Sequence, residues 1–212
     1  NSRAIQLSEN STAFSYFSEK YDYSEIIGET SYMYRTGVEF TPQELYMLNG
    51  LGKSNSENKY RFKKKVFALS KYKVDDMPEN GWELPTEYIY PMLTAPNISP
   101  FFYNIKDEYC IVPYSKQNIK SPIPEKEMLL TNKELYLYLS NHIELINSQS
   151  EKSKKMHRGK EFYSLSKIGS YRFAPYIVAA RDNSKFCATV VKPSRTDWNE
   201  TKQTICVKHT II

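Results

Sequence analysis

Two stretches of the chain concentrate the side chains able to bind charge. The first holds Lys152, Lys154, Lys155, His157, Arg158 and Lys160, with no apolar period among them. The second holds Arg61, Lys63, Lys64 and Lys65, with Tyr60 and Phe62 interleaved. Lysine ammonium groups are point charges suited to phosphate oxygens, which position a protein on a nucleic acid without reading its sequence. Guanidinium groups are planar forks that match base edges. Arg35, Arg158, Arg181 and Arg195, with nearby Asn and Gln, are therefore the better candidates for base contacts. For the 152–160 stretch the competing reading is a solvated loop.

Other chemistry is sparse. Gly50-Leu51-Gly52-Lys53-Ser54 has the ending of a phosphate-binding loop, but that motif needs a Gly where Met47 stands and a strand before it. The spacing around Leu45 and Leu48 predicts a helix there instead, so a helix stop and surface loop is expected. Glu57-Asn58-Lys59 has the Glu-x-Lys spacing of metal-dependent nucleases, yet Asp22 is the only modest upstream acidic partner. His142 falls on an apolar helix face and reads as a core or boundary residue. His157 and His209 have no acidic or Cys neighbours at ligand spacing. Cys110, Cys187 and Cys206 are odd in number, widely spaced and without a Cys-x-x-Cys, so neither disulfides nor zinc are expected. Cys110 and Cys187 sit in apolar runs, as buried reduced thiols of a cytoplasmic protein would.

The chain has 212 residues, 40% hydrophobic and 25% charged, enough for one large domain or two small ones. A formal charge of +5 is compatible with nucleic acid without requiring it. Tyrosines are abundant, 18 against 2 Trp, and suit interfaces as well as cores. There is no signal peptide and no apolar run long enough to span a membrane, so a cytoplasmic location is expected. The first residue is not Met, which suggests a piece of a longer protein.

Several elements would have to position these groups. Residues 1–20 read as a polar lead-in, and 21–28 and 32–34 as short strands or an opening loop. Thr41-Pro42-Gln43-Glu44 is a helix start, leading into about two turns. A strand is expected from Tyr60 through Leu69, then a loop from Val74 to Pro85. Prolines at 85, 91, 96 and 100 exclude a long helix. Residues 109–114 read as a strand. Thr131-Asn132-Lys133-Glu134 has the capping-box pattern, and Leu135, Tyr138, Leu139, His142, Leu145 and Ile146 then recur at helical spacing. Residues 177–180 and 186–191 form an expected antiparallel hairpin around an Asp182-Asn183-Ser184 turn. A polar loop over 192–200 and a short strand over 203–207 complete the pattern. The expected fold class is α+β: a mixed, largely antiparallel sheet with a few helices and long loops.

Gly159-Lys160-Glu161-Phe162-Tyr163-Ser164-Leu165, then Gly169-Ser170-Tyr171-Arg172-Phe173-Ala174-Pro175-Tyr176-Ile177-Val178, form an ordered pair of phrases. Upstream lie Tyr88-Ile89-Tyr90-Pro91-Met92-Leu93 and Ile98-Ser99-Pro100-Phe101. Together they resemble the target recognition domain of adenine-specific DNA methyltransferases and fused restriction–modification enzymes, over roughly the last two thirds of the chain. Many relatives carry an Arg where the main helix ends; here Asn147 to Gln149 stand there, and no role of that Arg is transferred. The resemblance implies that residues 21–212 are a DNA target recognition domain, possibly truncated at its C-terminus. Its partners would be double-stranded DNA and a methyltransferase catalytic domain of the same polypeptide. That family marks catalysis with Asn/Asp-Pro-Pro-Tyr/Phe and its cofactor site with a Gly-rich turn. Neither occurs in this chain, so no cofactor is expected here; S-adenosylmethionine would belong to the catalytic domain outside it. A specificity subunit of a multi-subunit restriction system, or a stand-alone nuclease or hydrolase, are the rival readings.

Overall fold

The computed structural model describes residues 2–6, 12, 14–18, 35–65, 78, 80–155, 159–181, 187–208 and 210–211. The short strands or opening loop expected at 21–28 and 32–34, the strand end at 66–69, the turn at 182–184, Phe186, His157, Arg158 and His209 lie outside the described residues.

Two compact units divide the chain, Asn1–Tyr34 and Arg35–Ile212. In the first, the expected lead-in contains an antiparallel hairpin of β1 (Ser2–Gln6) and β2 (Phe14–Ser18), with Ala4 opposite Tyr16.

The second unit is α+β. Its strands are β3 (Arg35–Thr36), β4 (Met47–Lys53), β5 (Lys59–Lys64), β6 (Trp82–Pro85), β7 (Ile89–Leu93), β8 (Ile98–Ser99), β9 (Phe102–Tyr103) and β10 (Glu108–Ile111). After the helices come β11 (Ile177–Ala180), β12 (Ala188–Val191), β13 (Ser194–Thr196), β14 (Asn199–Gln203), β15 (Cys206–Val207) and β16 (Thr210–Ile211). Six of them form one sheet, in the order β15-β7-β10-β4-β5-β6, antiparallel throughout except where β15 runs parallel to β7. A second sheet has the order β12-β11-β16-β3.

The helices are short: α1 (Gln43–Tyr46), α2 (Glu125–Thr131), α3 (Lys133–Ser140), α4 (Ile143–Asn147) and α5 (Glu151–Lys155). α1 is one turn rather than two, because Met47, Leu48 and Asn49 pair with β10 as strand. The expected helix start at Thr131 is instead a helix end. Pro124 precedes the first turn of α2, and the Thr131 hydroxyl donates back to the Glu127 carbonyl at 2.9 Å. Asn132, buried, breaks the axis, and its amide donates to Glu87 at 2.7 Å. Glu134 does not close a capping box; it pairs with Lys59 at 2.7 Å, which holds its carboxyl below the usual range. The single expected helix is divided at Asn141 and His142 into α3 and α4, and of its apolar face Leu135, Tyr138, Leu139, His142 and Ile146 are buried while Leu145 is half-buried. Tyr138 donates to the Leu45 carbonyl at 2.7 Å, tying α3 to α1.

Segments expected as loop that are strand include 50–53, Trp82–Pro85, Ser194–Thr196 and the start of β14 at Asn199 and Glu200; Gln203, expected to open a strand, ends β14. The hairpin of β11 and β12 forms as expected, with Ile177 opposite Val191 and Ala180 opposite Ala188.

Two apolar clusters hold the unit. The larger includes Leu45, Tyr46, Phe62, Ile89, Tyr114, Leu139 and Tyr163. The smaller gathers Leu93, Ile98, Ile177, Cys187, Val191 and Val207 under the second sheet. Among the described residues no helix is long and apolar enough to cross a membrane.

Candidate nucleic-acid interface

β5 alternates as a half-buried strand should: Tyr60 and Phe62 are buried, while Lys63 is exposed and Arg61 half-buried. Arg61 lies opposite Glu83 on one side and Gly52 on the other. Its Nε is buried with no hydrogen-bond partner among the described residues. Lys64 is half-buried. Lys65 turns inward and pairs with Glu108 at 2.5 Å, both side chains mostly covered. Its charge is matched inside the protein, so of the basic cluster Lys63 is the residue most open to solvent.

Gly50 to Lys53 forms the end of a strand, not a phosphate loop. A register shift between Gly50 and Gly52 leads into the hairpin that β4 makes with β5. The motif's geometry, a turn between a strand and a helix N-terminus, does not arise here.

The 152–160 stretch is not one loop. Lys152, Lys154 and Lys155 belong to α5, where Lys154 pairs with Glu151 at 2.9 Å and Lys155 is exposed. Lys160 is exposed just after Gly159. Gly159 has φ +119°, and a Cβ there would sit 2.2 Å from Pro122 Cδ. The segment from Tyr163 to Leu165 is firmly anchored. Tyr163 donates to the Ile123 carbonyl at 2.7 Å, and the Leu165 amide donates to the Tyr114 hydroxyl at 2.8 Å.

The remaining arginines sit at edges. Arg35 lies on β3, exposed, its guanidinium 5.3 Å from the centre of the Tyr171 ring. Arg181 follows the end of β11, exposed, its amide donating to the Cys187 carbonyl at 2.9 Å. Arg195 is exposed on β13. The β13–β14 hairpin is pinned to the main sheet at its tip. The Trp198 ring lies 4.8 Å from those of Tyr60 and Tyr109 and 5.7 Å from that of Phe62. Tyr60 donates to Asp197 at 2.9 Å. Burial, then this hydrogen bond, raises the Tyr60 phenol well above its ordinary value, so it remains a neutral donor.

Three residues outside the sequence-based set stand out. Arg172 is buried at 1% exposure, stacked 4.3 Å from the Tyr90 ring centre, and donates to Thr204 Oγ1 at 3.1 Å. It is a core guanidinium, unavailable to a ligand in this state. Burial pushes the neighbouring Cys206 thiol up, but the Cys110 thiol and the Arg172 guanidinium more than reverse this, to about 7. Trp198 is the second, and Asp197 and Asn199 on either side of it are the sequence signal for a hairpin tip. Phe101 is the third, in the turn between β8 and β9, and Pro100 before it marks that turn.

Comparison of the chain with protein-family models, with curated proteins and with solved structures finds no match.

Proposed function

We propose that this chain is a DNA sequence-recognition domain, serving a bacterial N6-adenine methyltransferase or restriction–modification enzyme whose catalysis lies in another domain. The reading starts from the phrases at 88–101 and 159–178. The observation that carries it is the contrast around Gly159. Tyr163 and Leu165 are locked into the core, while Lys160, next to the glycine and three residues from Tyr163, and Lys155, at the end of α5, are exposed cations. Exposed charge held on a rigid support gains little for folding and is suited to phosphate contact. Lys63, Arg181 and Arg195 add exposed cations on strands and strand ends.

In this reading the chain binds DNA weakly when alone, with Kd roughly 10⁻⁴–10⁻⁶ M at physiological salt, and methylates nothing. The test is a titration of duplex DNA at several salt concentrations. The double variant Lys155→Ala with Lys160→Ala should lower affinity about equally for all sequences and flatten the salt slope, with thermal unfolding within about 0.5 kcal/mol of wild type. Leu139→Ala, in the buried face of α3, should instead lose about 2–5 kcal/mol of stability. Binding that ignores salt, or methyl transfer to DNA by the chain alone, would remove the proposal.

A further inference from the structure

β8 and β9 form a very short hairpin, with Ile98 opposite Tyr103 and Ser99 opposite Phe102. Its two central residues are Pro100 and Phe101. Proline's fixed φ suits the first position. The second has φ +67° and is occupied by Phe101, where glycine or asparagine is usual. A bulky residue in the left-handed region is strained and persists only where its surroundings impose it. Those surroundings are on view. Ile98 is fully buried in the smaller core. The Tyr103 hydroxyl accepts from the Lys192 amide at 3.2 Å and donates to its carbonyl at 3.4 Å. At the tip itself, the Phe101 amide donates to the Ala188 carbonyl at 3.1 Å.

A hairpin so fixed at its base carries two phenylalanines into water. Phe101 is 94% exposed and Phe102 62% exposed. Neither contributes much to the core, and glycine would suit the backbone better. The same strand end holds a cation: the Arg181 amide bonds to Cys187, the residue before Ala188. Arg181 is exposed, and so is Lys106, three residues beyond β9. Exposed apolar rings on a hydrogen-bonded tip, with an exposed cation on the adjoining strand end, match a ligand that offers flat apolar faces beside negative charge. Stacked bases between phosphates are such a ligand, and side chains of this type enter base steps as wedges.

We propose that the Phe101–Phe102 tip is a stacking wedge for DNA, Phe101 entering between bases while Arg181 holds an adjoining phosphate. This rests on the DNA-binding reading above and adds a contact that deforms the duplex. Because stacking is tolerant of sequence, the wedge senses how easily a step opens rather than which bases form it.

The test compares two short duplexes of one sequence, one intact and one with a central abasic site. Phosphate contacts are the same in both, so the ratio of affinities isolates insertion into the stack. The wild-type chain should prefer the abasic duplex about tenfold. Phe101→Gly should abolish the preference without lowering the thermal midpoint, since glycine relieves the strained φ. Arg181→Ala should weaken both complexes and keep the ratio. A wild-type ratio near one, or a ratio unchanged by Phe101→Gly, overturns the wedge and leaves the DNA-binding reading standing. Should the wild-type chain bind neither duplex in a salt-dependent way, both readings fall. Loss of a wild-type self-association in Phe101→Gly, with the DNA ratio intact, would assign the tip to a protein contact and also overturn the wedge.

Discussion

Tyr46 is fully buried, and its hydroxyl has no hydrogen-bond partner among the described residues. Burial, then the nearby Tyr114 and Tyr163 phenols, raises its pKa far above the ordinary value. A buried hydroxyl without a partner forfeits its bonds to water and gains nothing in return. Tyr46→Phe should therefore stabilise the protein by about 1–3 kcal/mol, read from urea unfolding, with the ring's packing kept. Unchanged or lowered stability would mean that the hydroxyl is satisfied after all. Arg172 shows the same tension in a charged group. Its Nε and Nη2 have no hydrogen-bond partner among the described residues, and what surrounds the group is the Tyr90 and Phe173 rings, one bond to Thr204 and the Cys206 thiol. Stacking returns about 2 kcal/mol to a desolvated cation, while removing a charge from water costs several. Arg172 is thus better understood as a residue the core tolerates than as one that holds it together.

The β13–β14 hairpin is polar along its length and depends on Trp198 for its attachment. That ring lies against Tyr60, Phe62 and Tyr109, with centroid separations of 4.8–5.7 Å. Trp198→Ala should release the hairpin and expose the bond after Arg195 to trypsin. The expected result is much faster cleavage there than in wild type, with α3 and its packing unaffected. Equal rates would show that the Tyr60–Asp197 bond suffices alone. This hairpin also marks where sequence reading stops. β5 and the β11–β12 pair were legible because one face of each is buried and the other wet, which writes an alternating or β-rich pattern. β13 and β14 bury almost no side chains, so polar composition alone pointed to a loop. The error at Thr131 has another cause. A capping box is a four-residue signal, and it cannot register that α2, begun after Pro124, is already under way when Thr131 arrives. The apolar face of α3 was legible because a 3.6-residue period spans the whole element. Of the binding candidates, Arg35, Lys63, Lys155, Lys160, Arg181 and Arg195 are exposed. The inward turn of Lys65 was not legible, because its partner Glu108 lies on a strand far away in sequence.

At the scale of the whole second unit, tyrosines bind the elements to one another. Tyr138 links α3 to Leu45, Tyr163 reaches Ile123, Tyr114 meets Leu165, and Tyr60 meets Asp197. Burial raises the phenols of Tyr60, Tyr88 and Tyr163 well above the ordinary value of 10.0. Tyr109 is pushed up to about 12, by burial first and then by the Asp107 and Asp197 charges. The unfolded chain loses these protons near pH 10, whereas the folded one retains them. The stabilisation is complete below about pH 10 and is lost as pH rises through the folded values. Unfolding midpoints should therefore stay level, as far as these groups determine them, up to about pH 10 and fall steeply through pH 12. The phenolate absorbance contributed by Tyr60, Tyr88, Tyr109 and Tyr163, read as the difference between wild type and each Tyr→Phe variant, should develop together with loss of structure rather than before it. A difference signal from these four that develops in a still-folded chain would contradict the raised values.

The parallel pairing of Cys206–Val207 with Met92–Leu93 has a consequence for how the protein is made. More than half of the chain separates those partners, and β16 pairs with Arg35–Thr36 across an even longer gap. A ribosome releasing this chain from the N-terminus delivers β7 long before the strand that covers its edge. Met92 and Leu93, fully buried in the finished fold, then wait with one row of backbone groups unpaired. Local hairpins such as β4–β5 can assemble during that interval, but the sheet cannot close until Cys206 and Val207 have emerged. Biogenesis is accordingly weighted toward a late closing step, and it is during that delay that the nascent protein most needs a chaperone.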